Sequence, residues 1–150
     1  MTDDAGAALA AEDRQAITEL FARYGWCFDA GDVAGFTALF TTDAVYELDG
    51  GRRFVGHEQI GGYLSQAAAS TWFPGRQHHI DQIIIEGGPR RATSRAYCTV
   101  TQRSVDGSMS LVYLGRYADT CVKVDGRWLF EQRVVRRWDS EETQAARLTP

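Results

Sequence analysis

Length, composition and charge limit what this chain can be. Its 150 residues include 44% hydrophobic side chains, enough for one domain with a substantial core. The net charge of -4 argues against a nucleic acid or an anionic membrane as the partner, because both select basic surfaces. The partner expected is a small molecule that is not polyanionic.

Three cysteines, Cys27, Cys98 and Cys121, are odd in number and widely spaced. This spacing favours buried free thiols over a disulfide framework or a zinc site. Residues 1–10 contain few apolar side chains and are expected to form a frayed tail before a single domain at 11–150. The N-terminus lacks the pattern of a secretion signal and no apolar run could cross a membrane, so a soluble, cytoplasmic protein is expected.

The first part of the domain shows helical periodicity. An apolar stripe that ends at Phe28 predicts an amphipathic helix, and Gly31 is suited to terminate it. A shorter helix is predicted over residues 32–40, with Asp32 as its cap. Residues 57–70 fit a third helix.

The remaining segments have the character of β-strands. Two short strands are predicted at residues 44–48 and 52–56, joined by a glycine-rich turn. Asp106-Gly107 and Asp125-Gly126 predict tight hairpins within the second half of the chain. Four longer runs are rich in alternating, β-branched or aromatic residues: 76–86, 91–104, 108–123 and 127–138. Helices followed by a long β-meander predict an α+β fold, a cone-shaped barrel in which a curved, mostly antiparallel sheet covers the N-terminal helices.

Asp29 is the first candidate for chemistry. It follows the apolar stripe at the end of the first helix, where the helix macrodipole is negative and a carboxylate is disfavoured without a compensating partner. A solvated aspartate before a glycine turn is the alternative interpretation.

Adjacent histidines supply a possible partner for this carboxylate. His78 and His79 lie on one predicted strand and must point to opposite faces, so one of them can face the interior. Alternation does not decide which one it is. A histidine whose tautomer is fixed by a carboxylate is well suited to move protons near neutral pH.

Two further polar side chains lie in apolar surroundings. Tyr24 belongs to the apolar stripe, so its hydroxyl enters the core and needs a partner or a ligand, although a structural role is the default. Arg133 lies on the last predicted strand, and if it points inward it needs a carboxylate or an anionic ligand group. The sequence has no phosphate-binding, serine-hydrolase or metalloprotease motif, which favours cofactor-free chemistry.

Five segments, taken in order, make residues 10–138 resemble the SnoaL-like members of the nuclear transport factor 2-like superfamily. They are AITELFARYGWCFDAGD, LFTTDAVYEL, FVGHEQIGGYL, QHHIDQIIIEG and YADTCVKVDGRWLFEQRVV. Each segment is weak evidence alone, but their order and spacing together are fairly specific for the fold.

Within that superfamily the sequence is similar to the scytalone dehydratase, bile-acid 7α-dehydratase and hexachlorocyclohexane dehydrochlorinase branch. Those enzymes use an Asp–His dyad in a cone-shaped pocket to remove a proton and expel a leaving group. The resemblance implies that Asp29 and His78 form the dyad. It also places Tyr24 at the dehydratase tyrosine and Arg133 at an active-site arginine of the dehydrochlorinase. Gln82 stands where relatives often have asparagine.

The resemblance implies a cofactor-independent lyase or isomerase that acts on a hydrophobic cyclic, polyketide-like or steroid-like molecule, without a bound metal. The residues expected to contact this substrate are Trp26, Phe28, Trp72, Gln82 and Tyr113. A polyketide-type cyclase and a non-enzymatic ligand-binding or assembly domain are the alternatives. The resemblance also implies a homodimer or homotrimer.

Overall fold

A computed structural model describes residues 7–139 of the chain. The first helix, α1 (Ala11–Ala30), buries its apolar stripe and ends at Gly31, whose φ of 66° is left-handed. Glycine adopts that conformation without the steric cost that a side chain would add. The short helix α2 (Val33–Thr37) starts where the Asp32 side chain accepts a hydrogen bond from the Gly35 amide.

The third helix and the strands follow in the predicted order. Helix α3 spans Gly56–Ala68. Residues 7–139 form six strands, which are β1 (Phe40–Leu48), β2 (Arg52–Val55), β3 (Arg76–Gly87), β4 (Arg91–Arg103), β5 (Met109–Val124) and β6 (Arg127–Arg137). The predicted second helix extended to residue 40, which was wrong at its end. Phe40 instead begins β1, because it pairs with Phe130 of β6.

The strands form one open sheet in the order β2-β1-β6-β5-β4-β3. Every neighbouring pair is antiparallel except β1 and β6, which run parallel. The predicted α+β class and the mostly antiparallel sheet are therefore confirmed, with β2 and β3 as the two edges. Helix α1 packs against β3 and β6, and α3 packs against β1.

Alternation along the strands directs one set of side chains inward, and the strand register sets their depth. Ser94 of β4, Asp119 of β5 and Arg133 of β6 are buried neighbours at one level. The next inward positions, Tyr117 and Val135, face each other across β5 and β6. The inner face is thus a stack of layers that leads from the deep core to an opening.

The predictions for the N-terminal tail and the cysteines were only partly correct. Residues 1–6 of the predicted tail lie outside the described residues, whereas Leu9 is 6% exposed and packs in the core. All three cysteines are free thiols, but Cys27 is half-buried rather than buried. No helix within residues 7–139 has the length and apolar character needed to cross a bilayer.

Candidate active site

Asp29 and His78 are joined by two hydrogen bonds. The His78 backbone amide donates to Asp29 Oδ2 at 2.8 Å, and the ring Nδ1 donates to Asp29 Oδ1 at 2.6 Å. The side chains of His78 and Asp29 are only 9% and 18% exposed. The two donors compensate a carboxylate that sits at the negative end of α1.

The carboxylate also decides where the imidazole carries its proton. An ionised aspartate can only accept hydrogen bonds, so the Nδ1 atom must bear the hydrogen. The Nε2 atom of neutral His78 then has a free lone pair and can act as a base. His79 points the other way, as strand alternation requires, and lies exposed with its Nε2 atom 3.0 Å from Thr101 Oγ1.

His78 lines a cavity of about 290 Å³ inside the cone, which we call the chamber. Its inner wall is largely aromatic, and the Phe28 ring lies 4.8 Å from the His78 ring. A groove of about 800 Å³ lies on the other side of the dyad, where both Asp29 and His78 form part of its wall. Asp29 therefore stands behind the histidine as seen from the chamber.

Two tyrosine hydroxyls face the same chamber. The hydroxyl oxygens of Tyr24 and Tyr46 are 2.7 Å apart, and both residues are buried. Burial raises the pKa of both phenols, which keeps them protonated at neutral pH. Since a pair of hydroxyls shares one hydrogen between its oxygens, the other hydrogen remains available for a ligand. The pair can therefore donate a hydrogen bond into the chamber.

Arg133 lies beneath this layer instead of in it. Its guanidinium donates from Nε and Nη2 to the two carboxylate oxygens of Asp119, at 2.8 and 2.9 Å. Burial by itself would lower its pKa, but Asp119 outweighs burial and the pKa of Arg133 is raised. Four aromatic rings surround the guanidinium, those of Phe21, Tyr24, Tyr117 and Phe130.

The resemblance implied that Arg133 is an active-site arginine, but the structure buries it away from the chamber. The strand register pairs Arg133 directly with Asp119, and both side chains are fully buried. Arg133 does not line the chamber. It can act on Tyr24, whose ring centroid lies 4.2 Å from the guanidinium carbon.

The expected substrate contacts divide into two groups. Phe28, Trp72 and Tyr113 line the chamber. Trp26 does not, because it is 79% exposed on the outer side of α1 and borders the groove. Gln82 does not line the chamber either.

A β-bulge explains the position of Gln82. The register between β3 and β4 shifts between Asp81 and Ile84, which adds one residue to β3. Gln82 takes a φ of 52° there and its side chain is exposed. The extra residue thus interrupts the alternation that would have directed Gln82 inward.

Sequence reasoning missed Tyr46 and Asp119. Tyr46 alternates with buried Ala44 and Leu48, a signal that its side chain points inward. Asp119 lies on the inward face two residues from Tyr117, but its pairing with Arg133 depends on a bulge between residues 120 and 121. If the hairpin register continued from the Asp125-Gly126 turn without that bulge, Asp119 would pair with Gln132.

Within residues 7–139, no group of three or more histidine, cysteine, aspartate or glutamate side chains is placed to hold a metal ion. The polar groups that the described part of the site brings together are the His78 imidazole, the Asp29 carboxylate and the paired hydroxyls of Tyr24 and Tyr46.

Comparison with known proteins agrees with this architecture. The SnoaL-like domain matches residues 10–134, so the chain belongs to the SnoaL-like domain family. A comparison with curated protein sequences gives no significant match.

Solved structures of similar proteins share the fold over most of their length. A cystatin-like-fold protein of unknown function from Nostoc punctiforme is 27% identical, with a TM-score of 0.79 over 88% of this chain and 96% of its own. Aln2 from a Streptomyces species is also 27% identical, with a TM-score of 0.78 over 92% and 96% of the two chains. A scytalone dehydratase-like protein from Novosphingobium aromaticivorans is 26% identical, with a TM-score of 0.74 over 84% of each chain.

Proposed function

We propose that the protein is a cofactor-independent lyase of the dehydratase type that acts on a small ring compound. The observation that carries the proposal is the double hydrogen bond between Asp29 and His78. It leaves the Nε2 atom of His78 as a base at a chamber that also receives the Tyr24 and Tyr46 hydroxyls. Similarity to a scytalone dehydratase-like protein supports the same reaction class.

The reaction begins at a carbon next to a carbonyl group. His78 removes a proton from that carbon while the paired tyrosine hydroxyls donate a hydrogen bond to the carbonyl oxygen. The C–H electron pair becomes the enolate, whose negative charge the hydroxyls stabilise. Asp29 stabilises the positive charge on the protonated His78 ring.

Loss of the leaving group completes the cycle. The enolate electrons form the new carbon–carbon double bond as the C–O bond to the β-hydroxyl breaks. The imidazolium of His78 returns its proton to the departing oxygen, which leaves as water. The substrate has then lost one water molecule, and the enzyme is back in its starting state.

The volume of the chamber limits the size of the substrate. A volume of about 290 Å³ corresponds to roughly ten water molecules at about 30 Å³ each. This is the space of a one-ring or two-ring compound. The aromatic wall favours an unsaturated or aromatic ring system.

Product analysis tests the proposal. Purified protein is incubated with one-ring and two-ring β-hydroxy ketones, and the molecular masses of the products are measured by mass spectrometry. A loss of 18 mass units, about the mass of water, that depends on His78 supports the lyase. The control is His79→Gln, which changes the neighbouring histidine outside the chamber.

Other outcomes would favour a different function. A rearranged product of unchanged mass would identify a cyclase or isomerase that uses the same base. Tight binding without any chemical change in the whole panel would favour a ligand-binding domain and contradict the lyase.

A further inference from the structure

The outer part of the chamber carries charged side chains that the proposed reaction does not use. The inner wall is largely aromatic and buried, whereas Trp72 is 42% exposed and Arg52 is exposed. Arg76 is half-buried beside them. We call this outer part, lined by Asp49, Arg52, Trp72, Arg76 and Tyr113, the mouth of the chamber.

Arg76 is held in place at the mouth. Its Nε atom donates to the Trp72 carbonyl oxygen at 3.1 Å, and its guanidinium carbon lies 4.5 Å from the Trp72 ring centroid. These contacts orient the guanidinium while neither Nη group has an acceptor among residues 7–139. Desolvation lowers the pKa of Arg76, which shows that the protein partly removes this cation from water.

Arg52 approaches the same place from the other side. It lies on β2 with Phe54 on the same face, and that face packs towards Tyr63. Burial raises the pKa of Tyr63, and the charges of Arg52 and Arg76 both oppose that rise, so both guanidinium groups lie near this phenol. Neither arginine forms an ion pair within the described part of the chain.

The mouth also contains one carboxylate, which is already engaged. Asp49 accepts a hydrogen bond from the Tyr113 hydroxyl at 3.0 Å and one from the Arg137 amide at 2.6 Å. Each of its oxygens is therefore used by another group, and two cations remain against one anion. Arg76, which is partly desolvated, and Arg52, which is exposed, form no ion pair within residues 7–139 and are suited to bind an anionic group of a ligand together.

We infer that the substrate carries an anionic oxygen group, a carboxylate or a phosphate ester, which Arg52 and Arg76 bind at the mouth while its ring enters the chamber. The inference rests on the proposed function because it takes the chamber as the reaction site. Arg76 and His78 are two residues apart on β3, which places their Cα atoms about 6.6 Å apart. The anionic group would therefore be attached near the reacting ring, without a long linker.

Binding of unreactive ligands tests the inference separately from catalysis. Isothermal titration calorimetry compares 2-naphthoate, neutral 2-naphthamide and 2-naphthyl phosphate, which share one ring system. In the wild-type protein an anion should bind at least about tenfold more tightly than the amide, as expected for charge-assisted hydrogen bonds. The tighter of the two anions identifies the group as carboxylate or phosphate.

The variants decide whether the mouth is responsible. Arg52→Gln/Arg76→Gln should abolish the preference for the anion, whereas Arg53→Gln should keep it. Arg53 is the matched control because it neighbours Arg52 but pairs with Glu47 on the other face of β2. Equal affinity for anion and amide in the wild type, or no binding of either anion, would overturn the inference.

Asp29→Asn separates this inference from the proposed function. This variant should keep the preference for the naphthalene anions over the amide, because Arg52 and Arg76 are unchanged and loss of the Asp29 charge, which acts on Arg76, does not disfavour an anion. If no compound of the elimination panel loses water while the arginine variants lose the anion preference, the lyase proposal fails and the binding site stands. If Asp29→Asn stays fully active, the dyad fails and the binding site again stands.

Discussion

Asp29 holds both the backbone and the ring of His78. One carboxylate oxygen accepts from the His78 amide and the other from Nδ1, at 2.8 and 2.6 Å. The hydrogen bond from the His78 amide connects the end of α1 to the edge strand β3. The hydrogen bond from Nδ1 selects the tautomer of the ring. A single side chain thereby positions the base and determines which of its nitrogens is free.

The paired tyrosines are expected to act as one donor. Tyr24→Phe and Tyr46→Phe should each lower kcat by about 10²–10³-fold, the cost of removing one hydrogen-bond donor from a developing oxyanion. The double variant should cost little more than the worse single variant, because each hydroxyl orients the other. Steady-state kinetics on a substrate from the elimination panel would measure both effects.

Tyr97→Phe is the control for this series, since Tyr97 is exposed and does not line the chamber. Strictly multiplicative losses in the double variant would contradict a cooperative pair.

The buried ion pair beneath the chamber should matter for stability. Asp119→Asn leaves the fully buried Arg133 without its counter-charge, which should lower the free energy of unfolding by about 3–5 kcal/mol. Urea denaturation followed by tryptophan fluorescence would measure the loss. Glu131→Gln is the comparison, because its ion pair with Arg91 is largely exposed and should be worth less than about 1 kcal/mol. Equal losses in the two variants would show that burial of the Arg133 pair is not important.

Asp13 connects the start of α1 to the β5–β6 hairpin. Its Oδ1 atom accepts from Lys123 Nζ at 2.7 Å and from Trp128 Nε1 at 2.8 Å, and these bonds lower the pKa of Asp13 below 3.8. The folded protein thus holds the Asp13 proton less tightly than the unfolded chain does. The resulting stability is present above pH 3.8 and is lost as the pH falls through the lower pKa of the folded state.

Asp13→Asn should therefore cost about 1 kcal/mol near pH 7 and progressively less as the solution becomes acidic. Thermal unfolding of both proteins between pH 7 and pH 2 would measure the difference. Asp81→Asn, which alters an exposed carboxylate, should show no such trend. A constant difference across the pH range would contradict a role for the Asp13 charge.

Periodicity predicted most of the fold because its signals are local. The stripe ending at Phe28, the cap at Asp32 and the two Asp-Gly turns each act within a few residues of chain. The end of α2 was not predictable in this way, since Phe40 joins β1 through a pairing with Phe130, ninety residues further along. Such pairings form only once the sheet is assembled.

In the candidate site, too, local patterns could be predicted from the sequence and long-range strand pairings could not. Alternation limited the inward histidine to one of two, and the resemblance favoured His78, which the structure places against Asp29. The bulges could not be predicted from the sequence, because no particular residue type marks the extra residue in a bulged strand. They misplaced Gln82 and concealed the partner of Arg133. The homo-oligomer and the cytoplasmic location stay predictions.

The most direct test of the Asp29–His78 dyad is solvent-deuterium incorporation next to the substrate carbonyl, followed by mass spectrometry in the wild type and in Asp29→Asn. Asparagine can still accept from the His78 amide, but its NH₂ group would face Nδ1 and favour the tautomer that protonates Nε2. A His78 base oriented by Asp29 should give exchange in the wild type and a loss of about 10²–10⁴-fold in Asp29→Asn with unchanged thermal stability. Exchange at the wild-type rate in Asp29→Asn would contradict the dyad.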